Sequence, residues 1–348
     1  MFNRRPAKQP TLVVETMGFK VYEFSSIGAY PLTVSTAFAR AIRANVEQFD
    51  VVHINEYRTF IGTVTSHYAA KRKIPYIIQA HGALSTKIGR LYLKQLHDRT
   101  IGERMLRAAA STIAISAKEA DDYRRMGVAS NRIVIMPHGI EFSEYRDLPP
   151  RGEFKRLNDI PENSPLVSYV GRLDRTKGLS LLVTAFAGVL QHISEARLAL
   201  IGRDYGSEAG LRGLAQDLKI ENRILFTGFV SKDDKRRAYV DSDAVVTPSY
   251  NGFPRTFLEA GACGTPILTT RNGDWLDWID GQAGLVVDYS AEELKRGILT
   301  LVRDKPLRQR LRIQARRTVE QRFDWGIVSR QFEDLYAHVV SAAHFEES

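Results

Sequence analysis

The sequence predicts an α/β protein built from two doubly wound units, and three observations predict it. Short β-branched runs alternate with stretches of helical periodicity along both halves, the pattern of parallel sheets with crossover helices. A Pro- and Gly-rich stretch, Asp147-Leu148-Pro149-Pro150-Arg151-Gly152, separates the halves. A chain of 348 residues exceeds one ordinary core and fits two domains of typical size. The expected domains are residues 1–150 and 151–325, followed by a closing helix over 326–348 that can pack back on the first domain.

In the first half, strands are expected at 51–54, 76–79, 112–115 and 133–136, with helices near 34–46, 59–70, 89–108 and 117–125. A linker is expected over 147–164. In the second half a strand at 166–170 precedes a helix near 180–192. Strands at 198–201, 224–226, 244–247, 266–269 and 285–287 follow, and from about residue 291 the chain reads as helical and basic. Two such units facing across a cleft would direct their strand C-termini into it, where open parallel sheets bind ligands.

Composition narrows the class. With 44% apolar and 26% charged residues the chain has the make-up of a globular protein, not a disordered one. No apolar run approaches the roughly 18 residues of a membrane span. Met1-Phe2-Asn3-Arg4-Arg5-Pro6 is basic but leads into no apolar segment, so it is not a secretory signal. The single cysteine, Cys263, excludes an intrachain disulfide and suits a reducing cytoplasm.

The net charge of +9 is uneven: residues 1–150 carry 21 Lys and Arg against 13 Asp and Glu, and the remainder is nearly balanced at 28 against 27. The cations cluster at Lys71-Arg72-Lys73 and along Lys87, Arg90, Lys94, Arg99, Arg104 and Arg107. For any one of them a solvated helix face is the plain reading. For the set, a peripheral contact with an anionic membrane, or an acceptor carrying phosphate, is the functional one. No nucleic-acid partner is expected, because no helix-turn-helix, zinc-finger or RRM signature accompanies the charge.

Three segments could carry chemistry. Gly171-Arg172-Leu173-Asp174-Arg175-Thr176-Lys177-Gly178 follows the apolar strand at 166–170 and precedes a helix. Arg172 can make two parallel charge-assisted bonds to phosphate and Lys177 supplies a point charge, although any α/β protein has polar loops with glycines. The second is Pro248-Ser249-Tyr250-Asn251-Gly252-Phe253-Pro254-Arg255-Thr256-Phe257-Leu258-Glu259-Ala260. Here Gly252 permits close backbone approach, the following helix N-terminus suits an anion, and Glu259 could accept hydrogen bonds from a ribose diol. Alternatively, Thr256-x-x-Glu259 is a capping box and Glu259 serves its own helix. The small residues Ala260, Gly261, Ala262 and Gly264 read equally as packing residues, and Cys263 as a buried one. The third is Gln79-Ala80-His81-Gly82, where a histidine at a strand end is either structural or aimed into the cleft. His138-Gly139 reads as a turn toward the linker.

Taken in order, Asp50-Val51-Val52-His53, His81-Gly82, Pro137-His138-Gly139-Ile140, Gly171-Arg172…Lys177-Gly178, Thr227-Gly228-Phe229 and the 248–266 block resemble the retaining family 4 glycosyltransferases of GT-B fold. The resemblance runs from about Phe49 to the C-terminus. It implies a nucleotide-sugar donor, UDP- or GDP-linked, with no cofactor or metal. It also implies a glycan or polyprenyl-linked acceptor and retention of anomeric configuration by front-face attack. Under it, Arg172 and Lys177 neutralise the donor diphosphate, and His81 contacts the transferred sugar. Glu259 holds the ribose, Phe229 and Val230 lie near the base, and the backbone of Gly171 and of Gly252, Phe253, Arg255 and Thr256 lines the phosphate and sugar.

Two departures stand out. The family's marker is a pair of glutamates with seven residues between; the second is Glu259, but the first is Asn251, which can hydrogen-bond a sugar yet carries no charge. Pro254 stands where the family has glycine and removes a backbone N–H. Family members also begin with a strand, a Gly-Gly loop and a helix ahead of the stretch resembling residues 19–24. The first domain is therefore expected to lack that initial unit. These departures raise the alternative of a non-catalytic nucleotide-sugar binder or partner subunit.

Overall fold

In the computed structural model, residues 11–16, 18–28, 33–84, 91–249, 253–272 and 276–347 are described. The chain divides into two compact units, 1–137 with 330–348, and 138–329. The first division thus falls ahead of the Pro-Gly stretch. Residues 138–150 belong to the second unit through backbone bonds, Ile140 N to Phe323 O at 2.8 Å and Trp325 N to Ile140 O at 2.9 Å. Arg316 adds a 2.8 Å bond to the Tyr145 carbonyl.

The first unit opens with an antiparallel ribbon, β1 (Thr11–Thr16) and β2 (Phe19–Glu23). Its main sheet is parallel, with β3 (Val52–Asn55), β4 (Tyr76–Gln79), β5 (Ser111–Ala114) and β6 (Ile133–Ile135) in sequential order. The helices are α1 (Thr36–Asn45), α2 (Phe60–Lys71), α3 (Leu91–His97), α4 (Glu103–Ala108) and α5 (Ala117–Arg125). Ser35, Thr59 and Ser116 start α1, α2 and α5 by accepting the N–H groups of Phe38, Gly62 and Glu119. The helix expected over 89–108 is broken by a π-turn at Asp98–Gly102. There Gly102 sits so close to Tyr57 that a Cβ would meet its hydroxyl at 2.0 Å. The central strands β4 and β5 are buried at every position. One face of the sheet packs Ile54, Tyr76, Ile78, Leu106 and Tyr123 into a core.

The second unit holds a six-stranded parallel sheet in the order β12-β11-β10-β7-β8-β9. Its strands are β7 (Leu166–Val170), β8 (Arg197–Ile201), β9 (Ile224–Gly228), β10 (Ala244–Thr247), β11 (Ile267–Thr270) and β12 (Gly284–Val287). The helices are α6 (Glu153–Leu157), α7 (Leu179–Leu190), α8 (Glu208–Asp217), α9 (Lys232–Asp241), α10 (Arg255–Ala262), α11 (Ala291–Arg303) and α12 (Lys305–Phe323). The chain winds outward one way from β7 and the other way from β10, so the switch point lies between these two strands. The expected linker is not slack. It contains α6, whose Lys155 is buried with Nζ donating to the carbonyls of Glu162 and Ser164 at 2.9 and 2.8 Å.

A last helix, α13 (Trp325–Glu347), begins in the second unit and ends in the first. Its Leu335 and Val339 cover the second face of the first sheet, at Ile77, Ile113 and Met136. The Tyr336 hydroxyl sits 2.7 Å from His53 Nδ1 on β3.

Candidate functional site

In the second unit the C-terminal ends of β7, β8 and β9 are bound to one another. Gly171 N donates to Ile201 O, Gly202 N to Gly228 O and Leu173 N to Arg203 O, each at 2.9 Å. The spacing is too tight for side chains: a Cβ on Gly202, at φ 144°, would lie 1.9 Å from the Gly171 carbonyl oxygen. Both glycines are therefore required by close backbone approach.

This frame presents Arg172 and Lys177. The Arg172 side chain is 61% exposed, its guanidinium 5.3 Å from the Tyr205 ring and 3.8 Å from the Asp174 carboxylate. Asp174 accepts the Thr176 N–H at 2.8 Å and so fixes the turn that carries Lys177. Burial pushes the Asp174 carboxyl up, but the Thr176 hydrogen bonds together with Lys177 and Arg172 outweigh it and hold it below its ordinary value. Lys177 is half-buried, and burial pulls its amine below the usual lysine range against the opposing pull of Asp174. Among the described residues Lys177 forms no ion pair, and Gly178 starts α7 with no side-chain cap. A half-buried ammonium, an exposed guanidinium and an uncapped helix end have the chemistry that suits a polyanion.

Phe229 is 77% exposed just past β9, with the Arg203 guanidinium 5.9 Å from its ring, and Val230 is half-buried beside it. Arg203 and Tyr205 were not singled out from sequence. Their only signal was position at a strand end, in the loop that Asp204 fixes by capping α8.

In the third segment Asn251 and Gly252 lie outside the described residues. Phe253 is buried, packed edge-on to His138 at 5.9 Å and against Phe323 at 5.8 Å, so its side chain anchors the loop and only its backbone can face a ligand. Arg255 and Thr256 form the first turn of α10, which starts at Pro254 without a side-chain cap. The capping-box alternative fails on this geometry, since Thr256 lies inside the helix. The Glu259 carboxylate goes elsewhere, with Oε1 2.7 Å from Lys235 Nζ and Oε2 accepting from the Tyr239 hydroxyl at 2.9 Å. A carboxylate has about four acceptor positions, and these two bonds use two of them. Lys235 and Tyr239, both on α9, had no sequence signal. The small residues of α10 have a packing partner in α12: a Cβ on Gly261 would meet Val319 at 2.7 Å. Cys263 is buried, and burial, then Glu259, push its thiol up to about 12, so it is no nucleophile.

In the first unit His81 follows β4 in a left-handed conformation, φ 52°, as does Gly82 at 82°. Its Nε2 is 2.9 Å from Asn55 Oδ1 at the end of β3. Burial holds the imidazole below the usual histidine pKa, so it is neutral at neutral pH. Gly139 packs closely on the last helix: a Cβ there would strike the Trp325 ring at 2.5 Å.

Comparison with known proteins bears on this arrangement. Residues 150–318 match the family described as glycosyl transferases group 1, and residues 3–144 match glycosyltransferase family 4. An uncharacterised glycosyltransferase of Methanocaldococcus jannaschii is 24% identical over 305 residues, 84% of this chain and 76% of that protein. A D-inositol 3-phosphate glycosyltransferase of Xylanimonas cellulosilytica is 28% identical, covering 83% and 72%. Among solved structures, HepE of Anabaena in complex with UDP superimposes with a TM-score of 0.76 at 20% identity, covering 87% of this chain and 82% of that one. Sucrose-phosphate synthase of Thermosynechococcus elongatus gives 0.74 at 22% identity over 95% and 86%. With two parallel-sheet units in this order, the chain belongs to the group 1 and family 4 glycosyltransferases of GT-B fold.

Proposed function

We propose that this glycosyltransferase moves a hexosyl unit from a UDP- or GDP-linked donor to a glycan or polyprenyl-linked acceptor, with retention, in polysaccharide or glycoconjugate assembly. One observation carries the donor reading: Lys177 is partly dehydrated and forms no ion pair among the described residues, beside Arg172 and an uncapped helix end. That arrangement suits a diphosphate, which is also the leaving group, so the same cations stabilise charge as it develops. The reading calls for no metal. Phe229 with Arg203 offers a stacking surface for the base, Glu259 the ribose contact and His81 the contact to the transferred sugar. HepE, a structural neighbour, is described in complex with UDP and glucose.

Calorimetry with UDP and GDP beside a transfer assay over common nucleotide sugars tests the proposal. Failure of both nucleotides to bind at millimolar concentration would sink it. Asn251 in place of the family's glutamate favours one second reading, a nucleotide-sugar binder without catalysis, which predicts binding with no turnover. For the acceptor, the exposed Tyr92, Leu96 and Ile101 beside Arg99 and Arg104 support peripheral contact with an anionic membrane. No helix among the described residues is long and apolar enough to cross one.

A further inference from the structure

The first unit has a groove at the end of its sheet opposite His81. Parallel strands begin together, and the groove is bounded by residues that lead into them: Pro75 ahead of β4, Ala110 ahead of β5 and Arg132 ahead of β6. The last turns of α13, from His338 to Ala343, form its other side. Its volume is about 570 Å³, within the range of small-molecule sites. Five of the lining residues are alanines, and such short side chains on both walls keep the space open.

Three basic side chains reach the groove from three elements: Lys73 after α2, Arg132 in the turn before β6 and His338 on α13. Among the described residues no carboxylate lines it, and none of the three forms an ion pair. Their neighbours Arg72 and Arg107 do, with Glu47 at 3.0 Å and Glu103 at 3.2 Å. The unmatched cations are also held in place. Lys73 stands in left-handed backbone, φ 58°, in a turn where its N–H donates to Ala70 O at 3.2 Å and Ile74 N to Ala69 O at 2.9 Å. Arg132 Nη1 donates to the Arg107 carbonyl at 3.1 Å, and the Arg132 carbonyl accepts the Ser111 and Thr112 hydroxyls at 3.2 and 3.3 Å. A guanidinium anchored through one nitrogen keeps its other donors for a ligand. Two full positive charges and a ring N–H from separate elements suit a tetrahedral phosphate better than a planar carboxylate. Ile74, Pro75 and Val339 beside them suit an apolar body.

We propose that this groove binds an organic phosphate monoester with a short apolar body, the phosphate bridging Lys73, Arg132 and His338. The site is separate from the candidate donor site and does not rest on the donor reading. Its ligand touches the α2 turn, the start of β6 and α13 at once, so binding ties the last helix to the first sheet. A soluble ester and a lipid headgroup present the same group, and the experiment separates them.

Calorimetry with n-hexyl phosphate is the test. The wild type should bind with a Kd below about 1 mM, and inorganic phosphate, which lacks the apolar body, roughly tenfold more weakly or worse. Lys73→Gly keeps the left-handed turn and should raise Kd about tenfold. Ala342→Phe fills the groove from an exposed helix position and should do the same. A variant with alanine at both Arg172 and Lys177 should bind hexyl phosphate as the wild type does, whether or not the donor reading holds. Bound hexyl phosphate should also slow amide hydrogen exchange in the last turns of α13. Flotation with phosphatidylcholine vesicles containing phosphatidic acid assigns the source: vesicle binding lost in Lys73→Gly names a lipid headgroup, and vesicle binding absent or equal in both proteins names a soluble ester. No heat of binding up to about 10 mM hexyl phosphate would overturn the proposal. So would binding that both groove variants leave unchanged, or binding that requires Arg172 and Lys177.

Discussion

Lys235 Nζ lies 2.7 Å from Glu259 Oε1, in a pair whose side chains are only 25% and 12% exposed, and Tyr239 donates to the other Glu259 oxygen at 2.9 Å. Removing the cation alone leaves a shielded carboxylate with one partner. Lys235→Met should therefore cost about 2 kcal/mol in urea unfolding. Adding Glu259→Gln should restore part of that loss while weakening nucleotide binding. A double variant as unstable as the sum of the singles would show that the pair is not coupled.

Arg172 and Lys177 should separate in their kinetics. Each charge-assisted contact to a diphosphate contributes about 1.5–3 kcal/mol, so alanine at either position should lower donor kcat/KM roughly ten- to hundredfold. Lys177, half-buried and held by its turn, should affect kcat more than Arg172, which must first be ordered from an exposed position. Rising salt should weaken nucleotide binding to the wild type more than to either variant. Wild-type kinetics from both variants would move the diphosphate elsewhere.

Acid stability should depend on His53. Burial, then the neighbouring His81, pull its pKa from 6.5 to about 4 in the folded chain. The folded state binds this proton less readily than the unfolded one, so the stabilisation is fully present above pH 6.5 and is lost as pH falls toward 4. The loss is roughly 3 kcal/mol at most. Urea unfolding of wild type and His53→Phe at pH 7 and pH 4.5 measures it. The variant should lose the Tyr336 hydrogen bond but show a shallower decline between the two pH values.

Two glycine substitutions should have opposite signs. Gly202→Ala places a Cβ 1.9 Å from the Gly171 carbonyl at φ 144° and should destabilise the second unit by about 3 kcal/mol or more. Gly213→Ala, in the interior of α8 with nothing within 4 Å of its Cβ, should stabilise by about 0.5–1 kcal/mol. Thermal unfolding of both variants checks the pair.

The repeating local pattern was legible in the sequence. β4, β7, β10 and α5 start and stop where their residue patterns change, and the other expected strands fall within a residue or two, whereas the β1-β2 ribbon was not anticipated. Strand ends also carried the loops of Gly171, His81 and Phe229, because a parallel sheet puts its loops there. Contacts between distant segments left no such trace. Nothing in the pattern of α9 announces that Lys235 and Tyr239 meet Glu259, and nothing near Glu119 announces that its carboxylate accepts the Gly82 N–H at 2.6 Å. The π-turn at Asp98–Gly102 escaped because periodicity does not register one extra residue in a helical turn. Composition placed the first division at the Pro-Gly stretch, whereas the backbone bonds of Ile140 to Phe323 and Trp325 assign the preceding residues to the second unit.

The return of α13 to the first sheet has a consequence for biosynthesis. The face formed by Ile77, Ile113 and Met136 is covered by residues near the end of the chain, Leu335 and Val339. On the ribosome that face must wait while the whole 138–329 segment is made, on the order of ten seconds or more at usual translation rates. During that interval an apolar surface stands open on an otherwise completed parallel sheet. Loss of the last helix by a premature stop or by exopeptidase trimming would make the exposure permanent. Such a product would keep an apolar face in water even though every residue of the second unit is present.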